Sequence, residues 1–378
     1  MFKPFNKLHL SVSVLLLSLS SVSHADALYQ ETSEQGEVAV ELVAEGFGVV
    51  WGMAFLSDDE IVFTERDGKM GVVSISSGKV QRIEGVPQVK AEGQGGLLDV
   101  ATAPGFKAGD WIYLTYSKDI DGEGVTVLAR AKLAKGKVES WEELVVTQSR
   151  SDTGRHYGSR IEFDGQGHVF FTIGDRGVRP SSQDLQQHNG SVLRVKLDGS
   201  VPSDNPFVDN KDVLPEIWSY GHRNPQGIAR DATNDRLWVN EHGPRGGDEI
   251  NLVEPKRNYG WPVISYGKEY WGPKSVGEGT HKEGMEQPKK VYTPSIAPSS
   301  LMLYTGEVFP AWSGNLFSGA LKLTHINRVA VDDKGEIQGE ERLLEDFEER
   351  IRSLRQGPDG FIYFSTDSGK ILRLVPAK

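Results

Sequence analysis

One pattern recurs along this chain: a short apolar strand, a tight turn holding Asp or Pro beside Gly, a second apolar strand, then a polar or glycine-rich turn. Clear copies start at Trp51 (through Glu65), Leu98 (with Trp111 to Tyr116 as its second strand), Ser159 (through Thr172), Gln226 (through Asn240) and Leu354 (through Thr366). A degenerate copy lies between Ser300 and Val331. Each gathers β-branched and aromatic residues into short runs bounded by Gly, Pro, Asp and Asn, the composition of strands and their turns. The copies start roughly 45–75 residues apart, the period of propeller blades. A lone four-stranded blade leaves its faces wet, so neighbours must stack. Six copies therefore predict an all-β, six-bladed β-propeller with four-stranded antiparallel blades. An ordinary β-sandwich would not repeat its strands so regularly, and long amphipathic helical patterns are absent. With no linker composition in between, residues 26–378 read as one propeller. A propeller closes by pairing its ends, and Val38 to Val43 is a free strand expected to finish the last blade beside Ile371 to Leu374.

Residues 1–25 stand outside this pattern. Lys3 and Lys7 precede an apolar run from Leu8 to Leu19, and Ser23-His24-Ala25 ends in small residues. Basic head, short apolar middle and small-residue end read as a cleaved secretory signal, placing the mature protein in the periplasm or outside the cell. The run is too short and too rich in serine for a membrane anchor. The chain has no cysteine, which excludes disulfides, cysteine metal sites and thiol nucleophiles. Its net charge of −11 disfavours nucleic acid and anionic membranes as partners.

Propellers carry function on the loops around the central channel. Polar clusters flank the repeated strands where such loops belong. Gly93-Gln-Gly-Gly96 precedes the second copy; Gly154-Arg-His-Tyr-Gly-Ser-Arg160 precedes the third, and Gly174-Asp-Arg-Gly177 follows it. Gly221-His-Arg-Asn-Pro-Gln-Gly227 precedes the fourth, and Asn240-Glu-His-Gly-Pro-Arg-Gly-Gly-Asp-Glu249 follows it. Ala320-Leu-Lys322 and Arg350-Ile-Arg352 belong to the last two.

These clusters, in this order and with Asn258-Tyr-Gly-Trp-Pro262 after them, resemble the soluble PQQ-dependent sugar dehydrogenases, in particular the aldose sugar dehydrogenase branch. The resemblance covers nearly all of the chain beyond the leader. It implies oxidation of the C1 hydroxyl of aldoses to lactones, with pyrroloquinoline quinone (PQQ) and Ca²⁺ as cofactors, an aldose as substrate and a separate, unidentified electron acceptor. Such chemistry removes a proton from oxygen and a hydride from carbon, so it needs a base near neutrality, and histidine suits that task. His156 matches the family's base, and Asp175 the carboxylate that orients it. Taken alone, His156 would read as an ordinary hydrogen-bonded histidine. Arg223, Lys322, Arg350 and Arg352 match the cations that hold the cofactor's carboxylates, with Gln94 and Asn224 as neutral hydrogen-bonding partners. Arg223 is also placed to stabilise charge growing on the quinone oxygen. Without the resemblance, Arg350-Ile-Arg352 is the alternating charge of a solvated strand. The resemblance assigns the catalytic calcium to the carbonyls of Gly243 and Pro244, and a second calcium site to Asp248, Glu249 and Tyr259, for which a surface acidic pair is the plain alternative.

The sequence departs from the glucose-oxidising branch in one informative stretch. Where that branch has Trp-Pro-Thr over the cofactor, this chain has Tyr292-Thr-Pro-Ser295, which makes Tyr292 the candidate stacking face. Loops between blades read as short, which predicts an open pocket, a broad sugar range and a monomer. Two other functions fit a propeller: a calcium-dependent lactonase, which wants carboxylates or asparagines around a channel metal, and a non-enzymatic binding module, which has no need of His156, Asp175 and four cations on one face.

Overall fold

The computed structural model describes residue 1 and residues 27–377; the leader expected at 1–25 lies outside the described residues save for Met1. Six antiparallel sheets form in chain order, as the repeat requires. Blade 1 holds Val50–Phe55, Glu60–Glu65, Met70–Ser74 and Val80–Arg82, and blade 2 holds Leu97–Thr102, Ile112–Ile120, Glu123–Ala134 and Lys137–Val146. Blade 3 holds Ile161–Phe163, His168–Ile173, Ser191–Lys196 and Ile217–Tyr220; blade 4 holds Pro225–Asp231, Arg236–Glu241, Asp248–Val253 and Lys290–Tyr292. The degenerate copy is blade 5, with Pro298–Leu303, Leu316–Ala320, Ile326–Val331 and Ile337–Leu343.

Blade 6 closes the ring. Its inner three strands, Ile351–Gln356, Ile362–Thr366 and Lys370–Pro376, come from the end of the chain, and Gly36–Glu45 supplies the fourth. Val40 lies opposite Leu374 and Leu42 opposite Leu372, so the early apolar strand seals the last blade beside the expected partner. Tyr29–Ser33 adds a fifth strand outside it, which the repeat did not foretell.

The apolar core is divided among the seams between blades. Val62, Leu97 and Leu114 fill the seam between blades 1 and 2; Tyr113, Phe171 and Leu193 fill the next. Trp312 and Phe317 of blade 5 meet Leu354, Phe364 and Leu374 of blade 6. Each such side chain gains about 1.5–3 kcal/mol from burial, and only when the neighbouring blade is present. This is why the repeat must close into a ring.

One side chain at the centre of the ring links all the blades. Arg160, at the start of blade 3, is fully buried, and its guanidinium reaches the other five blades. It donates to the carbonyls of Trp51 (3.1 Å), Gln226 (2.8 Å), Ser299 (2.6 Å) and Arg352 (2.8 Å) and to Asp99 Oδ1 (3.2 Å). It also lies over the Trp51 ring, 3.8 Å from the centroid.

Candidate active site

In every blade the first strand begins, and the second strand ends, on the same face of the ring. The sequence clusters all fall at these two places, and the ring turns scattered loops into one rim. A cavity of about 670 Å³ opens there, with Trp51, Tyr157, Gln226, His242 and Leu321 among its walls.

His156 sits in the loop that leads into blade 3, in the left-handed region (φ 55°), a conformation a non-glycine residue adopts only when held there. Gln94 Oε1 accepts its N–H at 2.7 Å. Gly174 packs against its carbonyl so closely that a Cβ would come to 2.3 Å of that oxygen. Its Nδ1 lies 2.6 Å from Asp175 Oδ1. Asp175 follows the second strand of blade 3, and two further donors hold its carboxylate, the Gly177 N–H at 2.7 Å and Trp261 Nε1 at 2.8 Å. Burial alone would push the Asp175 carboxyl up, but the His156 hydrogen bond and the charges of His156 and Arg223 hold it below the usual range. Burial, aided by the Arg223 charge, lowers His156 despite Asp175. At neutral pH the imidazole is therefore neutral, Nδ1–H is donated to an ionised Asp175, and Nε2 keeps its lone pair.

Arg223 is buried, with its ring neighbour Trp261 5.2 Å from the guanidinium carbon. Its Nη1 donates to the His242 carbonyl at 3.1 Å, while its buried Nε has no partner among the described residues. Asn224 Oδ1 accepts the Gly158 N–H at 3.2 Å and so ties the blade 4 loop to the His156 loop. Arg350 and Arg352 both reach the cavity, held side by side by Asp367, which accepts Nε of each at 2.8 Å. Lys322 is exposed beside Leu321, with no ion-pair partner among the described residues. The cavity wall carries Arg66, Arg350 and Arg352 and no carboxylate. In an acidic protein this is a local reversal of charge that suits an anion.

A smaller cavity, of about 260 Å³, adjoins the first at His242 and is lined by Arg223, Glu241, Gly243, Glu249 and Tyr259. The Gly243 carbonyl accepts no hydrogen bond among the described residues, and the Pro244 carbonyl has only Ser295 Oγ at 3.4 Å. Gly243 is required, since a Cβ would come to 2.0 Å of the Gly247 carbonyl. Burial first, then the Glu241 charge, pushes the Glu249 carboxyl well above its ordinary range. Its one hydrogen-bond partner among the described residues is Asn251, at 3.2 Å. Two under-bonded carbonyls and an under-compensated carboxylate fit a hard cation. Asp248 is otherwise engaged: its oxygens accept Gly243 N–H (2.9 Å), Ser295 Oγ (2.9 Å) and Ala297 N–H (2.8 Å), so it clamps the Gly243–Pro244 loop. The Tyr259 hydroxyl is spent on the Leu252 carbonyl at 2.7 Å, and its ring stacks on His222. Among the described residues no three His, Asp or Glu side chains converge as metal ligands.

Tyr292 is not the stacking face. It is buried in the seam between blades 4 and 5, with its hydroxyl on Asn327 Oδ1 at 2.5 Å. It ends the outermost strand of its blade, away from the channel, and the aromatic walls of the cavity are Trp51 and Tyr157. Short loops hold only in part: the connection spanning residues 254–289 in blade 4 is a long excursion that carries Trp261 to Asp175. Arg66, Asp367, His242 and Trp261 had no assigned part in the sequence reading. The first three share one signal, a polar residue directly after the second strand of a blade, the place that Asp175 occupies one residue further on.

Fold and rim together define a propeller whose central pocket is built for an anionic ligand beside a neutral imidazole. The sequence matches the Glucose / Sorbosone dehydrogenase family over residues 47–373, and the chain belongs to that family. It is 40% identical to the aldose sugar dehydrogenase YliI of Escherichia coli, over 90% of this chain and 93% of that protein. The crystal structure of the soluble aldose sugar dehydrogenase of E. coli in its apo-form superposes with a TM-score of 0.86, at 38% identity over 90% of this chain and all of that one. The PQQ-bound aldose sugar dehydrogenase of Streptomyces coelicolor shares the fold at a TM-score of 0.74, with 23% identity over 89% of this chain and 98% of that one. Among the described residues no helix is long and apolar enough to cross a membrane.

Proposed function

We propose that this protein is a PQQ- and calcium-dependent dehydrogenase that oxidises the C1 hydroxyl of aldoses to lactones. The observation that carries the reading is a buried, neutral His156, oriented by Asp175, next in the chain to Tyr157 and Gly158 in the wall of a cavity whose charged lining, among the described residues, is arginine. When bound, PQQ would supply a two-electron acceptor for the hydride from C1, and calcium would supply a Lewis acid. Arg350, Arg352 and Lys322 hold its carboxylates, and Gln94 and Asn224 flank it with neutral groups. The unpartnered Arg223 Nε faces developing negative charge. Gly243 and Pro244 offer their carbonyls to the cation that completes this pocket, and Glu249 is the side chain suited to a second calcium.

The sugar binds with its C1 hydroxyl against His156 Nε2. As the C1–H bond breaks, Nε2 takes the hydroxyl proton and the C1–O bond becomes a carbonyl. Asp175 stabilises the imidazolium that results, without itself taking the proton. Trp261 keeps Asp175 aimed at His156 and shields the pair from water. The donor is an aldose, a separate carrier removes the electrons, and the protein acts as a monomer in the periplasm or outside the cell. The test is dye reduction by the purified chain with D-glucose, adding PQQ and calcium separately and together. Turnover only with both supports the reading; turnover without PQQ, or none with any aldose after reconstitution, rejects it.

A further inference from the structure

Of the arginines in the cavity wall, Arg350 and Arg352 share the carboxylate of Asp367. Arg66 differs. It follows the second strand of blade 1, is half-buried, and its guanidinium has no hydrogen-bond or ion-pair partner among the described residues. The carboxylates on either side of it in the chain are spent elsewhere: Glu65 pairs with Arg82 and accepts the Gly48 N–H, and Asp67 pairs with Lys69. An uncompensated cation in the wall of a cleft draws anions to it, because the low-dielectric walls focus its field.

The backbone of Arg66 is pinned. Its N–H donates to the Val49 carbonyl at 3.0 Å, and its carbonyl accepts the Leu97 N–H at 3.3 Å. Gly96 makes room for it, since a Cβ there would come to 1.8 Å of the Arg66 carbonyl oxygen and 2.8 Å of Arg66 Cγ. Earlier in the same glycine cluster, Gln94 lines the cavity and accepts the His156 N–H at 2.7 Å. One stretch, Gly93 to Gly96, therefore seats both the unpaired arginine and the candidate base. Around the rim, Arg66 of blade 1 stands between the arginines of blade 6 and this stretch leading into blade 2.

We propose that Arg66 binds a carboxylate on the sugar, so that the substrate class includes the uronic acids, which carry a carboxylate at C6 and are still reducing at C1. This rests on the dehydrogenase reading above. There the cofactor's carboxylates are matched by Arg350, Arg352 and Lys322, and Arg223 faces the quinone, which leaves Arg66 free for the substrate. A guanidinium makes paired, charge-assisted hydrogen bonds with a carboxylate that a neutral hydroxymethyl group cannot return. Oxidation at C1 proceeds as for a neutral aldose, with the hydride passing to the quinone and the proton to His156 Nε2, and the carboxylate at C6 is unchanged.

The test compares wild type, Arg66→Gln and Arg66→Lys, each reconstituted with PQQ and calcium. The sugars are D-glucose, D-glucuronate and the methyl ester of D-glucuronate, which keeps the shape and loses the charge. The proposal expects wild type to have a higher kcat/KM for glucuronate than for its ester, by a margin that added salt lowers. In Arg66→Gln, kcat/KM for glucuronate should fall about tenfold relative to that for glucose, through KM, while the ester follows glucose; Arg66→Lys should restore part of the difference. No preference for glucuronate over the ester in wild type would overturn the proposal. So would an equal loss on all three sugars, and weaker PQQ binding in calorimetry would then assign Arg66 to the cofactor. Should no aldose be oxidised at all, calorimetric titration with glucuronate and its ester still decides: binding that needs the charge and is lost in Arg66→Gln upholds the site, and equal or absent binding ends it.

Discussion

Arg160 and Arg223 are both buried and both rest on a tryptophan ring, yet they are used in opposite ways. Every nitrogen of Arg160 has a partner, and one of those partners is the Asp99 carboxylate. Arg223 has no carboxylate, a long contact to Tyr270, and an Nε with nothing to donate to among the described residues. Buried donors are nearly always satisfied, and one left open costs about 1–3 kcal/mol. The first arginine ties six blades together. The second leaves bonding capacity unfilled beside a cavity, which is what a group held for a ligand looks like before the ligand arrives. The same contrast separates the paired surface charges from Arg66 and Lys322, which have no ion-pair partner among the described residues.

Three substitutions or conditions sharpen this comparison. The largest effect is expected on the reaction. His156→Ala removes the base but no cation, so turnover should fall about 10²–10⁴-fold while PQQ remains bound, as read by steady-state rates and retained cofactor absorbance. Loss of less than about tenfold in rate would mean that the proton goes elsewhere. Next comes the ring. Arg160→Met takes the donor away from the buried carbonyls of Trp51, Gln226, Ser299 and Arg352 while Asp99 keeps Arg355, and urea unfolding should show a loss of about 3–5 kcal/mol; a loss under about 1 kcal/mol would mean the channel arginine does not knit the blades.

The smallest effect is in pH. In the proposed mechanism His156 works only when neutral, and burial with the Arg223 charge sets its pKa below the ordinary 6.5. Activity should thus rise as pH climbs through a value below 6.5 and be level at neutrality. Arg223→Met relieves one of the depressing influences, so the acid limb of kcat/KM should move to higher pH. A limb that stays put would show that this charge does not reach His156.

Much of the architecture was legible because a blade writes itself twice, once as apolar strand runs and once as the Asp-Gly turns between them. The closure of blade 6 followed from a single unpaired strand, Val38 to Val43, in need of a partner. The site was legible where residues lay inside the glycine-rich clusters, as His156, Asp175 and Arg223 do. It was illegible where contact depends on the ring closing: Arg66 comes from blade 1 and Asp367 from blade 6, and only the circular order brings them to one rim. Tyr292 was read from a motif position without its place in the blade; it ends the outermost strand of blade 4, where its ring packs into the seam with blade 5. The excursion 254–289 has little strand periodicity, so neither its length over the rim nor the reach of Trp261 to Asp175 was visible in the residues alone.

The most direct test of the account is a calorimetric titration of the purified chain with PQQ in the presence of calcium, run on wild type and on Arg223→Met, with urea unfolding of both proteins alongside. The account predicts saturable binding of one PQQ per chain, weakened at least about tenfold in the variant, with stability changed by no more than about 1 kcal/mol. No binding to wild type, or equal affinity in the variant, would contradict it: the open arginine would then be a defect of the fold and not a place kept for the cofactor.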